Sequence, residues 1–156
     1  MRYFNPIGAH SSGILGEELK DSSSNLLPLV SQVASGKKNK VDIWGNNYKT
    51  IDGTGVRDFI HIEDLAKGHV KAIHTLEKPQ CIELNLGTGK GYSVLEIIKI
   101  FEKVSKKVIN YEFKDRRDGD VEACFADVSK AKRILDWEAK LNINKMCSDV
   151  WNWEKK

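Results

Sequence analysis

Ile82-Glu83-Leu84-Asn85-Leu86-Gly87-Thr88-Gly89-Lys90-Gly91-Tyr92-Ser93-Val94-Leu95-Glu96 decides the fold class. Ile82 to Leu86 reads as a strand, and Gly87 to Gly91 as a loop. Ser93-Val94-Leu95-Glu96 has the Ser-x-x-Glu form of a capping box, in which side chain and backbone at a helix start satisfy each other. Val94, Ile97, Ile98, Phe101 and Val104 then recur at helical spacing. Strand, loop and helix in succession are the unit of an α/β chain.

The same alternation extends in both directions. Upstream, Asn25 precedes a helix with Pro28 in its first turn, where a missing N–H costs little, and Gly36 ends it. Val41 to Trp44 alternates like a short strand followed by a Gly45-Asn46-Asn47 turn, and Asp58 to Ile62 resembles another. A helix with Leu65, Ala66, Val70, Ile73 and Leu76 on one face follows. Downstream, Asn110 to Phe113 gives a strand, and Ser129 to Leu135 and Asn142 to Trp153 give helices. The last is expected to bury Ile143, Met146, Cys147, Val150 and Trp153. No internal repeat or low-complexity stretch interrupts the order.

A glycine loop between strand and helix invites a dinucleotide-binding reading, because such loops let helix-terminal amides approach phosphate. The spacing argues against it. The loop is Gly-x-Gly-x-Gly rather than Gly-x-Gly-x-x-Gly, and no acidic residue ends a second strand at the distance a ribose needs. A tight turn packing helix on strand is the simpler reading.

At 156 residues the chain suits one domain, burying roughly 68–70% of its unfolded surface. Its 40% hydrophobic and 30% charged residues describe an ordinary soluble protein. A formal net charge of +3 is too small to argue for nucleic acid as a partner. No apolar run approaches the roughly 20 residues of a membrane helix, and the first residues lack a signal pattern, so no membrane association and a cytoplasmic location are expected. Cys81, Cys124 and Cys147 form no Cys-x-x-Cys pair and read as reduced thiols. His10, His61, His69 and His74 lack metal-ligand spacing, and structural roles are expected of each.

Arg57, Arg116 and Arg117 are the more telling group. Each sits at the edge of an expected element, and Arg offers a planar fork of donors that stays protonated, so two such forks can grip a pyrophosphate. On residue type alone, an Arg beside an Asp, as at Asp58 and Asp118, is more often a surface ion pair worth about 0–1 kcal/mol.

Three strings carry a resemblance: Arg2-Tyr3-Phe4-Asn5-Pro6-Ile7-Gly8-Ala9-His10, Thr54-Gly55-Val56-Arg57-Asp58-Phe59-Ile60-His61 and Arg116-Arg117-Asp118-Gly119-Asp120. In this order they closely resemble the C-terminal half of the UDP-glucose 4-epimerase family, among the extended short-chain dehydrogenase/reductases. The resemblance covers essentially all of residues 1–156. It implies a mixed α/β substrate-binding half, one UDP-sugar-binding domain, without most of the Rossmann NAD-binding half.

Residue by residue, it implies that Arg57 and Arg117 contact a diphosphate and that Asp120, closing Arg117-Asp118-Gly119-Asp120, accepts a hydrogen bond from the uridine ribose. Ser24, Asn25 and the backbone of Leu26 correspond to a further phosphate contact. Asp42-Ile43-Trp44 matches a strand whose backbone reads the uracil edge, with an aromatic at Trp44. Tyr3, Phe4 and Asn5 correspond to a strand end that meets the hexose and, at Tyr3, the nicotinamide of NAD. Cys124, by itself a small hydrophobe, corresponds to a position beside the sugar C2 substituent. A small residue there implies room for UDP-GalNAc and UDP-GlcNAc as well as UDP-galactose and UDP-glucose.

The chain departs from the pattern at the acidic Asp42, at Ser22-Ser23-Ser24 and at Glu17-Glu18-Leu19-Lys20-Asp21. The family inverts C4 of a UDP-hexose through a 4-keto sugar, using NAD and a Tyr-x-x-x-Lys pair. Four positions after Tyr3, Tyr48, Tyr92 and Tyr111 stand Ile7, Asp52, Glu96 and Asp115, none of them lysine. A complete catalytic site is therefore not expected from these residues. The implied catalytic partner is a separate N-terminal half, and the family's dimer contacts belong mainly to that half. A non-catalytic UDP-sugar-binding module or degenerate epimerase, and a related sugar-nucleotide dehydratase, decarboxylase or uronate epimerase, are the alternative readings. Alone, the chain is expected to fold poorly, with Tyr3 and Phe4 a frayed strand and apolar surface exposed.

Overall fold

A computed structural model describes residues 1–18, 25–77 and 81–156; Ser24 lies outside the described residues. The elements run β1 (Arg2–Tyr3), β2 (Asn5–Ile7), α1 (Leu26–Ala34), β3 (Val41–Trp44), β4 (Val56–His61), α2 (Ile62–Ile73), a 3-10 turn (His74–Glu77), β5 (Asn85–Leu86), β6 (Gly91–Ser93), α3 (Val94–Ser105), β7 (Tyr111–Lys114), β8 (Ala123–Cys124), α4 (Ser129–Leu135) and α5 (Ile143–Glu154).

β4 is the organising strand because it changes neighbours along its length. Its last residues pair in parallel with β2, Asn5 opposite Phe59 and Ile7 opposite His61. Its first residues pair antiparallel with β6 and parallel with β8, which sets Arg57 opposite both Tyr92 and Cys124. β3 and β7 form a separate parallel ribbon, and β1 and β5 another. The amino terminus is thus paired rather than frayed: the Arg2 amide donates to Leu84 O at 2.7 Å and the Phe4 amide to Leu86 O at 3.0 Å.

Two apolar clusters hold these pieces. Leu27 and Val30 of α1, Val41 and Ile43 of β3, Phe59, Ile97, Ile98 and Phe101 of α3, and Met146, Cys147 and Val150 of α5 make the larger one. Ile60, Leu86, Ala131, Leu135 and Trp137 make the smaller. The stripe expected on α5 is buried through Val150, whereas Trp153 is only half-buried. The capping box forms as expected: Ser93 Oγ accepts from the Glu96 amide at 3.0 Å and Glu96 Oε2 from the Ser93 amide at 2.7 Å.

Three expectations need correction. The strand over 82–86 contracts to Asn85–Leu86, and the glycine turn runs into β6 before α3 rather than directly into the helix. Asn25 starts α1 without a side-chain cap, since its Nδ2 donates to Glu17 Oε1 at 2.6 Å instead. Most consequential is α2, which buries Asp64, Gly68 and Ala72 and leaves Ala66, Val70 and Ile73 exposed, as is Leu76 in the 3-10 turn after it, while Leu65 packs against the smaller cluster. Polar pins set its rotation. His61 caps it by accepting from the Glu63 amide, and Asp64 accepts from the Lys140 and Leu141 amides at 2.7 Å each. Gly68 lets Trp137 approach: a Cβ there would sit 3.2 Å from the indole.

Candidate functional site

α1, β3, the first half of β4 and the 116–120 turn enclose a cleft of about 520 Å³. Each wall has a local cause. Val41 and Ile43 point into the core while Asp42 and Trp44 point out, the period-two alternation of a strand with one buried face. The Val41 amide donates to Asn110 O and the Gly45 amide to Lys114 O, both at 2.9 Å. Alternate amides at 41, 43 and 45 therefore face β7, and those of Asp42 and Trp44 face the open edge of β3. That edge carries donors and acceptors in the arrangement that a planar, hydrogen-bonding ring edge can meet.

The cation wall comes from β4 and the 116–120 turn. Arg57 is one-fifth exposed, its Nη1 donating to Val56 O at 2.8 Å and its Nη2 to Asp120 Oδ1 at 3.3 Å. Arg117 lies over the Trp44 ring, guanidinium carbon 4.6 Å from the centroid, and has no hydrogen bond or ion pair to its guanidinium among the described residues. The two arginines line the same cleft. Arg116 turns away. It covers the Tyr48 ring at 4.0 Å and donates from Nε to Asn47 Oδ1 at 2.7 Å and from Nη2 to Asn47 O.

Of the residues singled out in sequence, Asn5, Asn25, Leu26, Asp42, Ile43, Trp44, Arg57, Arg117 and Asp120 line this cleft. Tyr3, Phe4, Asp118, Gly119 and Cys124 are not among the lining residues. Tyr3 is exposed, its ring 5.8 Å from that of His69. Cys124 is exposed in β8, in register with Arg57. Asp118 and Gly119 form the turn that lets Arg117 and Asp120 face one way; Gly119 has φ of +81°, and the Asp120 amide donates to Arg117 O at 3.2 Å.

Lys38, Lys40, Tyr48, Phe59 and Val94 also line the cleft and were not singled out. Nothing in their spacing marks them. Phe59 and Val94 look like core, and Lys38 and Lys40 look like solvated charge. Lys40 is held by Glu112 at 2.6 Å, and Glu112, bonded first by Lys114 and then by Lys40, has its carboxyl brought down to about 2.

The Asp beside Arg57 makes no surface ion pair. Asp58 is fully buried and accepts from the Thr88 amide at 2.9 Å, the Gly89 amide at 2.9 Å, the Ala126 amide at 3.1 Å and the Thr88 hydroxyl at 2.6 Å. Within the Gly87–Gly91 turn the Thr88 and Gly89 amides are thus taken by the protein's own carboxylate, and the Lys90 amide by Thr88 Oγ1 at 3.3 Å. A Cβ on Gly87 would lie 2.5 Å from Asp58 Oδ2, so close packing explains that glycine. The described residues consequently offer no free glycine-loop cradle for the NAD pyrophosphate, and by that test they do not fit the cofactor on their own.

His61 and Cys147 take structural places. His61 is buried, accepting from the Glu63 amide at Nδ1, so Nε2 is the nitrogen that donates to Asp149 Oδ2 at 3.1 Å. Burial pushes the Cys147 thiol up to about 12. No cluster of His, Cys, Asp or Glu able to hold a metal ion occurs among the described residues. No helix among them is long and apolar enough to cross a membrane.

Residues 1–150 match the family described as GDP-mannose 4,6 dehydratase. The chain is similar to a UDP-glucose 4-epimerase of Bacillus subtilis, 56% identical over 155 residues, covering 99% of this chain and 46% of that one. It is 53% identical over 156 residues to a UDP-glucose 4-epimerase of Dictyostelium discoideum, covering 99% and 45%. Among solved structures it superposes with TM-score 0.95 on UDP-glucose 4-epimerase from Bifidobacterium longum in complex with NAD+ and UDP, 52% identical, covering 99% of this chain and 46% of that one. The chain thus spans about half the length of the relatives it matches.

Proposed function

From the premise that the chain belongs to the GDP-mannose 4,6 dehydratase family and is similar to one half of UDP-glucose 4-epimerases, we propose that its cleft binds the uridine diphosphate part of a UDP-hexose. One observation carries this reading: Arg57 and Arg117 line a single cleft with the exposed Trp44 ring and the open edge of β3. Two guanidinium forks suit a diphosphate. An aromatic face beside them suits a base, and the outward amides of Asp42 and Trp44 suit its edge. α1 adds the partial positive charge of a helix start at Leu26, with no side chain among the described residues capping it. Asp120 is the ribose acceptor, and Asn5 lies toward the hexose.

The whole reaction in this reading is NAD-dependent inversion at C4 of the hexose. This chain's part is to bind and orient the substrate, because its sequence holds no Tyr-x-x-x-Lys pair and its glycine turn is closed by Asp58. Tyr3 and Cys124 belong to the sugar and nicotinamide side of the site, beyond the cleft. The small thiol of Cys124 leaves room for an N-acetyl group at C2.

Calorimetric titration of the chain with UDP and with NAD is the test. UDP binding without NAD binding is expected, and absence of UDP binding overturns the reading. Adding the NAD-binding half of a related epimerase should then yield C4 inversion of UDP-galactose, followed by sugar NMR. In that reconstituted enzyme, Cys124→Tyr should lower turnover of acetylated sugars relative to UDP-galactose; unchanged relative rates would remove the role given to Cys124.

A further inference from the structure

Arg57 and Asp120 hold each other at 3.3 Å, with side chains 22% and 37% exposed, inside a cleft whose other arginine is unpaired among the described residues. Taking the cleft as the uridine diphosphate site proposed above, we infer that this ion pair is a selectivity latch, which a nucleoside diphosphate opens at little cost and a bare phosphate anion does not. The chemistry follows from what each ligand returns to the pair. A phosphate oxygen that draws Arg57 away leaves Asp120 as a carboxylate without its cation, facing the incoming anion. A ligand carrying phosphate and ribose together replaces both partners, since phosphate accepts from Arg57 while a ribose hydroxyl donates to Asp120. Asp120 therefore acts against the wrong ligand as well as for the right one. A group that only recognised ribose would leave phosphate binding untouched.

The pair is well placed to do this. Asp120 sits in a turn whose backbone is held by its own amide bond to Arg117 O at 3.2 Å, so its Cα stays beside the diphosphate position when Arg57 leaves. Arg57 keeps its Nη1 bond to Val56 O at 2.8 Å, so the guanidinium pivots about a fixed point instead of being released to solvent.

Titration of the unsubstituted chain, Asp120→Asn and Asp120→Ala with UDP and with inorganic pyrophosphate decides it. Both variants are expected to bind pyrophosphate about threefold to fivefold more tightly, the range of a partly exposed ion pair. Asp120→Ala should bind UDP about tenfold more weakly. Asp120→Asn, which can still accept from a hydroxyl, should lose less. Asn has nearly the shape of Asp and carries the test should alanine disturb the turn. Unchanged or weakened pyrophosphate binding in both variants, with UDP binding intact in the unsubstituted chain, overturns the latch and leaves the uridine diphosphate reading standing. Failure of the unsubstituted chain to bind UDP removes that reading, and the latch with it.

Discussion

The Gly87–Gly91 turn and the start of α1 offer the same groups, backbone amides gathered at the entrance to a structural element, and put them to opposite uses. At the turn, Asp58 takes the amides of Thr88, Gly89 and Ala126 from within the fold. At α1, Asn25 spends its side chain on Glu17, and no side chain among the described residues caps the first turn, which lines the same cleft as Arg57 and Arg117. Glycine content would rank the two in the wrong order. What decides whether amides can bind an anion is whether the protein has already given them a partner.

The comparison breaks first at Asp58. Replacing it with alanine leaves the buried Ala126 amide and the part-buried Thr88 and Gly89 amides without their acceptor, a buried one costing about 1–3 kcal/mol, so a loss of about 3 kcal/mol is expected after partial relaxation. Urea denaturation of the whole chain reads it. A loss below about 1 kcal/mol would show that water reaches the turn and that its amides are free after all.

Gly87→Ala attacks the same seal from the other side. The added methyl would lie 2.5 Å from Asp58 Oδ2 and 2.7 Å from the Ala126 Cβ, and overpacking of this kind costs about 2 kcal/mol. Gly36→Ala is the matched control, since Gly36 has φ of +80° but nothing within 4 Å of the added atom. Its cost should be backbone strain alone, about 1 kcal/mol. Equal losses at the two glycines would mean that the turn is not tightly packed.

On the open side, Arg117→Ala should weaken UDP binding by about 2 kcal/mol, near thirtyfold, with little change in melting. Its guanidinium lies over the Trp44 ring and has no hydrogen bond or ion pair among the described residues, so folding has little to lose. Lys90→Ala, in the sealed turn, should leave UDP binding as it was. A larger effect at Lys90 than at Arg117 would reverse the assignment of the two regions.

Much of this was legible in the chain, unevenly. The Ser93–Glu96 box and the period of α3 announce themselves because local hydrogen bonds and one buried face act within a few residues. Arg57 and Arg117 stand out by chemistry and by resemblance. Asp58 did not: beside Arg57 it looked like half of a surface pair, and its real partners lie thirty or more residues away. The rotation of α2 was hidden for the same reason, because Asp64 answers to Lys140 and Leu141. Leu65 apart, apolar spacing pointed to the face that stays exposed. Phe59 and Val94 went unmarked because a residue that lines a cleft and one that fills a core have the same sequence signature.

Acid separates the two regions most finely. Glu112, on the ribbon beside the cleft, has its carboxyl lowered from 4.5 to about 2 by bonds from Lys114 and Lys40. Asp52, bonded to the Ser93 cap of α3, is pushed up by burial but brought below its ordinary 3.8 by bonds from Ser93 and Thr54 and by Lys99. Both are depressed in the folded chain, so the unfolded chain binds protons first as pH falls. The stability they confer is complete above their ordinary values and drains as pH drops through the lowered ones, which for Glu112 means from 4.5 toward about 2. Glu112→Gln should flatten the fall of the urea midpoint across that window at low ionic strength. Glu112 is exposed and its partners are ions, so about 1 M salt should erase the difference. Asp52→Asn should keep its effect in salt, because its lowering rests mainly on neutral hydroxyl and amide donors. If salt erases both, Asp52 is as open to solvent as Glu112, and the packing around the Ser93 cap of α3 is no tighter than the rim of the cleft.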